Sequence, residues 1–306
     1  MTSNPANRLH PSLQFLILAA ITIGVVLLGN LIGAAVVAAF YGLEMVFNIA
    51  QLDLSAPGTV NALWILQILG TTIPLLITPL VFAQFIVKQP QEYLKPSFNF
   101  PWTMIVIVFC VMMISSPLIE LLSRINQNMV LPDYLSSVQK WMRDSEDKAE
   151  KLIELLLKMD TIFGVIANVI AIGLFTAIVE ELMFRGCVQT IFAKWTGNVH
   201  AAVWITAILF SAFHMEFFGF LPRLLLGALF GYFAAWSGSV WPAVWAHFIN
   251  NSTAVIAVYL YQHKLVKIDP NSTHIFKSPA YVFSFIIVLF LLFLYYKEAK
   301  KEKTAA

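Results

Sequence analysis

Long runs of apolar residues without any charge constrain this chain more than any other feature of its sequence. The first run reaches from Phe15 to Phe40 and contains 26 residues, whereas a helix that crosses a bilayer needs about 20. Hydrophobic residues make up 59% of the chain and charged residues only 12%, and the mean hydropathy is +0.78. An average soluble domain is about 45–50% apolar and about 25% charged. The sequence therefore predicts an integral, multi-pass membrane protein.

We predict an all-α fold, a polytopic transmembrane bundle of about eight helices, with seven as the alternative. The apolar runs are continuous rather than alternating, which argues against a transmembrane barrel. The fifth and sixth runs are short, and we expect the shared segment Met215–Arg223 to complete both of them and to turn between them. The predicted spans are Phe15–Phe40, Val60–Val87, Trp102–Leu122, Thr161–Phe184, Ala201–Phe213, Leu224–Trp236, Val240–Tyr261 and Tyr281–Tyr296.

Two local features of these runs need interpretation. The first run is longer than the apolar region of a signal peptide, about 7–15 residues, so we interpret it as a retained span; cleavage near Ala34–Ala39 is the alternative. Pro74, Pro79 and Pro117 fall inside predicted spans. Because neighbouring helices satisfy the carbonyl that a proline frees, we expect kinks rather than breaks.

The chain divides into three regions. Residues 1–160 hold the N-terminal spans and a polar loop at 124–160, residues 161–262 form a core, and residues 263–306 hold the last span and a basic tail. The polar loop carries six Lys or Arg and seven Asp or Glu residues, with apolar residues at near-helical spacing. This pattern predicts one or two amphipathic helices on the membrane surface; a solvated connector is the alternative.

The basic tail indicates the orientation of the bundle. An even number of spans places both termini on one side, and Lys297, Lys300, Lys301 and Lys303 favour the cytoplasm for that side. The six basic residues of 124–160 oppose this orientation, although the mixed charge of that loop weakens the objection. We expect cytoplasmic termini and, if the host is bacterial, a location in the inner membrane.

Ionisable residues inside spans are costly and are therefore functional candidates. Glu180 and Glu181 are adjacent, so on a helix they point about 100° apart and cannot do the same work. Glu181 and Arg185 are spaced i, i+4 and can pair. That pairing leaves Glu180 as a candidate general base. The alternative is a salt bridge at the end of a helix, which would account for Glu181 and Arg185 but not for Glu180.

Two histidines in apolar surroundings are further candidates. His214 ends the segment that begins with Phe210, and His247 shares a helix face with Asn251. Taken singly, a structural histidine or an interhelical hydrogen bond would account for each. The spacing around the predicted turn Gly197-Asn198 favours a shared site. Glu180 lies 17 residues before Gly197 and His214 lies 16 residues after Asn198, so both lie about 25 Å from the turn if both arms are helical.

A carboxylate, two histidines and an amide are suited to peptide hydrolysis. Glu180, alone or with His214, would take a proton from the attacking water, and His247 with Asn251 would stabilise the oxyanion. No Ser or Cys accompanies a suitable base, which disfavours an acyl-enzyme. Glu180, His214 and His247 could instead form a zinc site, although the HExxH pattern is absent. No cofactor is favoured, and zinc remains the alternative.

Three motifs resemble those of a known family. The segments EELMFR at 180–185, FSAFH at 210–214 and HFINN at 247–251 are similar to the EExxxR, FxxxH and HxxxN/D motifs of the CPBP family, also called Abi. This family includes type II CAAX prenyl proteases and bacteriocin-processing and self-immunity proteins. The resemblance implies an eight-helix intramembrane endopeptidase with its catalytic core at 161–262. The family has been described both as metal-dependent and as metal-free, and we favour the metal-free description here.

The resemblance also implies a role for each motif residue. Glu180 and His214 would activate water, and His247 and Asn251 would stabilise the oxyanion. The supporting residues would be Glu181, Arg185 and Phe210.

The expected partners are a protein or peptide substrate at the membrane and the lipid bilayer. Nucleic acid is not expected, because the net charge is only +2 and no broad basic face is formed. Two other functions stay open: an ion-coupled transporter, and a non-catalytic immunity or scaffold protein that binds through residues 124–160. The sequence does not indicate the natural substrate or the oligomeric state.

Overall fold

The computed structural model of the protein describes residues 9–270 and 272–305. Within these residues the chain is helical and contains no strand, which confirms the predicted fold class. The helices are α1 Pro11–Tyr41, α2 Leu43–Ala50, α3 Thr59–Ile86, α4 Pro90–Leu94, α5 Trp102–Ile114, α6 Ser116–Gln127, α7 Ser136–Leu156, α8 Ile162–Thr196, α9 Val199–Phe213, α10 Phe220–Ser237, α11 Trp241–Gln262 and α12 Ser278–Ala305.

The count of eight spans is not confirmed. Among the described residues, five helices are long and apolar enough to cross a membrane (α1, α3, α8, the unit Phe217–Ser237 and α12), or six if the bent pair α5–α6 is one span. Helix α9 has only 15 residues, about 22 Å at 1.5 Å per residue, which is shorter than a hydrocarbon core of about 30 Å. Helix α11 is long enough, but polar residues such as His247 and Asn251 lower its hydropathy.

The bundle nevertheless brings both ends of the described chain to the same end of the molecule. The His10 ring, at the start of α1, contacts Trp195 near the end of α8. At the start of the following helix, His200 contacts Tyr232 of α10, and Trp236 of α10 contacts Tyr296 near the end of α12.

The apolar run that ends at Phe184 continues as helix α8 to Thr196, up to the predicted turn, and Glu181 compensates the charge of Arg185 within this helix. The expectation for the two short runs is wrong. The segment Met215–Arg223 does not complete both short runs. It contains a 3-10 turn, Phe217–Gly219, and its last residues belong to α10, whereas α9 ends at Phe213.

The predicted kinks rather than breaks hold for Pro74 and Pro79 only in that their helix is unbroken, and the prediction is wrong for Pro117, where the helix is interrupted. Pro74 and Pro79 lie within the continuous helix α3, which contains the π-helical stretches Ile68–Thr72 and Phe82–Ile86. A π-helical stretch shifts the hydrogen-bond register around residues that cannot donate. Pro117 follows the break between α5 and α6, where the helix axes differ by 43°.

The polar loop contains one long helix. Helix α7 spans 21 residues and packs against the start of α3 and against the turn Phe217–Gly219. Met142 is buried on its inner face. The amphipathic helix is therefore present, and its location on a membrane surface stays a prediction.

Helices α8 to α11 form the centre of the molecule. Helices α1, α3 and α4 pack on α8 through apolar side chains such as Leu18, Phe82 and Tyr93. Helices α5 and α12 pack on α10 and α11 through a second apolar cluster. The buried residues Glu180, Glu181 and Arg185 of α8 and His247 of α11 lie between these two layers.

Candidate active site

The hairpin between α8 and α9 places two of the candidate residues. Gly197 ends α8 with φ +64°, a left-handed conformation that glycine adopts without steric cost. Asn198 caps α9, because its side-chain oxygen accepts hydrogen bonds from the N–H groups of His200 and Ala201. The turn predicted at Gly197-Asn198 is confirmed. The two arms run back to Glu180 and to His214, which follows the last residue of α9.

Local irregularity in α8 surrounds the two glutamates. Glu180 and Glu181 end a short α-helical stretch between two π-helical stretches, Val169–Phe175 and Leu182–Val188. Such stretches occur frequently at functional sites, because each changes which side chains share a face. The Glu180 and Glu181 carboxylates consequently meet different atoms, as predicted for adjacent residues of a helix: Glu180 faces Nε2 of His247 and Glu181 faces Nδ1.

Glu180 lies between the two histidines. Its Oε2 atom is 3.8 Å from Nε2 of His214 and 3.9 Å from Nε2 of His247. These separations exceed a hydrogen bond, and this buried oxygen has no hydrogen-bond partner among the described residues. Helices α8, α9 and α11 therefore bring a carboxylate and two imidazoles around one small space.

The outer nitrogen of each imidazole is held by an acceptor. Nδ1 of His214 donates to the carbonyl oxygen of Phe210 at 2.8 Å, and Nδ1 of His247 donates to Oε1 of Glu181 at 2.9 Å. Because a carbonyl and a carboxylate only accept, Nδ1 carries the hydrogen in both rings. Both Nε2 atoms therefore face Glu180 as lone pairs when the rings are neutral.

The pair Glu181–Arg185, predicted from spacing, is present and fully buried. Nη1 of Arg185 donates to Oε1 of Glu181 at 2.9 Å, and Nη2 donates to the carbonyl oxygen of Gly227 at 3.1 Å. The guanidinium also lies over the Phe210 ring, 4.4 Å from its centroid. A buried charge is tolerated when it is paired and hydrogen-bonded. Glu181 thus links Arg185 to His247 through a single oxygen.

Asn251 lies one turn beyond His247, but its side chain faces a different part of α8. Its Nδ2 donates to the carbonyl oxygen of Ile172 at 3.2 Å, and its Oδ1 accepts from Asn250 at 3.2 Å. Its described hydrogen bonds do not include Glu180 or either histidine. The structure therefore brings Glu180, His214 and His247 together and leaves Asn251 at the edge of the group.

Helix α10 supplies two contacts that the sequence did not reveal. Phe230 stacks on the His247 ring with centroids 5.0 Å apart, and Gly227 accepts from Arg185. A Cβ at Gly227 would lie 3.1 Å from Cα of Ala207 on α9. Small residues let membrane helices approach closely, so Gly227 and Gly231 were the sequence feature from which the close packing of α10 could have been predicted.

The three side chains differ in their exposure. About 25% of the His214 side chain is exposed, compared with 5% for His247 and 10% for Glu180. His214 is therefore the most accessible member of the group.

The donor set has the chemistry of a metal site, and its facing atoms lie slightly further apart than metal-bound ligand atoms do. Each histidine donates its outer N–H to a carbonyl or a carboxylate, as metal-ligating histidines do. Tetrahedral zinc holds its ligand atoms about 3.4 Å apart, closer than the 3.8 and 3.9 Å found here. No group of three or more His, Cys, Asp or Glu residues in the described part of the chain has the arrangement of a metal site.

Fold and site together define an integral, multi-pass helical protein in which the buried residues Glu180 and His247 and the partly exposed His214 lie close together. Residues 162–253 match the family model described as type II CAAX prenyl endopeptidase Rce1-like. Over this part of the chain the protein is therefore similar to the type II CAAX prenyl endopeptidases of the CPBP, or CAAX protease, family. Comparisons with curated proteins and with solved structures gave no match.

Proposed function

We propose that this protein hydrolyses peptide bonds of membrane-associated proteins or peptides, with water activated by Glu180 and His214. The observation that carries the proposal is the position of Glu180 Oε2. This buried oxygen has no hydrogen-bond partner in the described structure and faces Nε2 of both histidines from less than 4 Å. An acceptor placed in this way is suited to hold and deprotonate a water molecule.

The proton balance of the reaction follows from these atoms. A water molecule that bridges Glu180 and His214 gives its proton to Glu180 Oε2 while its oxygen attacks the carbonyl carbon of the substrate. The tetrahedral intermediate then collapses, the C–N bond breaks, and the proton held by Glu180 passes to the leaving amine. The neutral His214 ring, with its hydrogen fixed on Nδ1 by Phe210, accepts a hydrogen bond from the same water.

His247 is the proposed stabiliser of the oxyanion, on one condition. Its Nδ1 hydrogen is engaged by Glu181, so Nε2 carries a hydrogen only when the ring is an imidazolium cation. That cation would balance the buried charges of the cluster, because Glu180 and Glu181 bring two negative charges and Arg185 only one positive charge. Asn251 would contribute a second donor only after its amide turns away from Ile172.

The contacts of nearby serine and cysteine support water as the nucleophile. Ser211 donates its hydroxyl hydrogen to the carbonyl oxygen of Phe220, and the Cys187 thiol is directed to the carbonyl oxygens of Pro79 and Tyr93. Neither side chain hydrogen-bonds to His214 or His247 among the described residues. An acyl-enzyme route would need one of them beside a base.

The finer expectations about setting belong to the same proposal. The substrates would be protein or peptide chains at the membrane, and whether they carry a prenyl group is left to experiment. The termini would be cytoplasmic, because Lys297, Lys300 and Lys301 lie at the end of the bundle where α1 begins. In a bacterial host, the protein would lie in the inner membrane.

Cleavage of a fluorogenic peptide library by the protein in proteoliposomes tests the proposal. The variants are wild type, Glu180→Gln and, as a matched control, Glu154→Gln, which changes an exposed glutamate of α7. We expect cleavage by wild type and by Glu154→Gln, and a loss of about 10²–10⁴-fold in turnover for Glu180→Gln.

A chelator is added to each sample in a second arm. Cleavage that depends on Glu180 and survives chelation supports the metal-free route. Loss on chelation with recovery on adding zinc would reassign Glu180, His214 and His247 as metal ligands. Cleavage of equal rate by wild type and by Glu180→Gln would refute the proposal.

A further inference from the structure

The connection between α9 and α10, which follows His214, receives most of its side-chain hydrogen bonds from helices outside the α9–α10 hairpin. It contains Met215, whose φ of +54° is unusual for a residue with a side chain, and the 3-10 turn Phe217–Gly219. Ser211 holds its far end by donating to the carbonyl oxygen of Phe220. The other side-chain hydrogen bonds to its main chain come from α6 and α7.

Asn126 of α6 joins both ends of the turn. Its Nδ2 donates to the carbonyl oxygen of Phe217 at 3.0 Å, and its Oδ1 accepts from the N–H of Leu221 at 2.7 Å. The residue is only 2% exposed. Because the carboxamide acts as a donor to one residue and as an acceptor to the other, neither an aspartate nor an alanine can replace both bonds.

Glu146 of α7 holds the middle of the same turn. Its Oε1 accepts from the N–H of Phe218 at 2.8 Å, and the guanidinium of Arg143 lies 3.3 Å from the centroid of the Phe218 ring. Phe218 itself is buried. The turn is therefore tied to two helices that contain no residue of the site.

We propose that Asn126 and Glu146 are positioning residues that fix the distance between His214 and Glu180. The inference rests on the proposed function for its catalytic consequence. His214 follows the last residue of α9 and lies two residues before the turn, and the hydrogen bond of its ring goes to Phe210 within α9, so its position is restrained from one side by α9 and from the other by the segment that follows. An error of about 1 Å in the position of a catalytic group can cost about 10²-fold in rate.

The test uses two readouts that need no substrate and one that does. Amide hydrogen exchange at Leu221 reports how firmly Asn126 binds the turn. Exchange of the His214 ring C2 hydrogen, read by mass spectrometry, reports changes in the surroundings of that ring. For Asn126→Ala we expect about tenfold faster exchange at Leu221, a change of about threefold or more at His214, and a kcat about 10-fold to 100-fold lower with KM within about twofold.

Matched variants separate positioning from general damage. Asn128→Ala changes an exposed asparagine of the same helix end, whose amide donates to Arg124 within its own helix, and should leave all three readouts unchanged. Glu146→Ala should resemble Asn126→Ala, whereas Glu146→Gln keeps an acceptor oxygen for Phe218 and should restore kcat. The ring exchange of the exposed His200 and His263 should stay constant in every variant.

The outcomes are distinguishable from a failure of the proposed function. Unchanged exchange at the His214 ring in both Asn126→Ala and Glu146→Ala would overturn the inference, whatever the activity. An unchanged kcat in those variants, in a preparation whose Glu180→Gln variant is inactive, would also overturn it. If wild type itself shows no cleavage that depends on Glu180, the proposed function fails, and the two exchange readouts still decide whether the positioning residues hold His214.

Discussion

The adjacent residues Glu180 and Glu181 should respond in opposite ways to the same substitution. Both are buried, and a change to glutamine removes one negative charge from each with little change in shape. Glu181 Oε1 accepts hydrogen bonds from Arg185 and from His247 at 2.9 Å each, whereas the buried Oε2 atom of Glu180 has no partner. We therefore expect Glu181→Gln to affect mainly stability and Glu180→Gln to affect mainly turnover.

The magnitudes follow from these contacts. Removal of one partner of a buried ion pair costs about 3–5 kcal/mol, because the other charge is left uncompensated. The glutamine at 181 keeps one acceptor oxygen, so its cost should fall near the lower limit, about 3 kcal/mol. Glu180→Gln removes a buried charge without breaking a hydrogen bond and should leave stability unchanged or slightly higher, while turnover falls about 10²–10⁴-fold.

Thermal unfolding in detergent, followed by the reaction of Cys187 with a fluorogenic maleimide, measures the stability effect. Cys187 is fully buried beside Arg185, and a Cys110→Ser background removes the second thiol. Turnover is measured on the same samples and divided by the folded fraction. A wild-type melting temperature for Glu181→Gln, or a lowered one for Glu180→Gln, would refute the reasoning.

Three further predictions rest on separate contacts. His214→Ala should lower turnover about as much as Glu180→Ala. Asn251→Ala should lower turnover less, by no more than about 10²–10³-fold, because the amide of Asn251 is engaged by Ile172. Equal losses for the three variants in a peptide cleavage assay would contradict this order. Gly186→Ala should destabilise by about 1–3 kcal/mol, because its Cβ would lie 2.6 Å from the backbone oxygen of Tyr93, whereas Gly24→Ala, with no atom within 4 Å, should be neutral or slightly stabilising in the same melting assay. Burial raises the pKa of the half-buried Glu146, so ionising this carboxyl costs more in the folded protein than in the unfolded one. Its contribution to stability is complete below the ordinary range of a glutamate and is lost as pH rises through the raised pKa. Relative to Glu146→Gln, wild type should therefore become more stable on acidification, by less than about 1 kcal/mol for a partly exposed group. A rise in melting temperature would show this gain, and a fall would exclude this cause.

The sequence was most informative where the relevant interaction is local. The spacing of Glu181 and Arg185 predicted their pair, and Gly197-Asn198 predicted the turn, because both depend on the geometry of one helix or of one helix end. Counting residues from that turn placed Glu180 level with His214, and the structure separates their facing atoms by 3.8 Å. The apolar runs likewise predicted the fold class, because long, continuous charge-free segments are accommodated in a bilayer as helices.

The tertiary structure decided everything that depends on contacts between distant segments. The partner of His247 is Glu181, 66 residues away, rather than Asn251 on its own helix face. The stacking of Phe230 on His247 and the ties from Asn126 and Glu146 to the turn after His214 join residues with no shared periodicity. A pattern along the chain reports which face of one helix is apolar, but the rotation and depth of each helix against its neighbours are set by packing. For that reason the sequence by itself determined a membrane-embedded bundle and its candidate residues, and only the packing of α8 to α11 decided which of them meet.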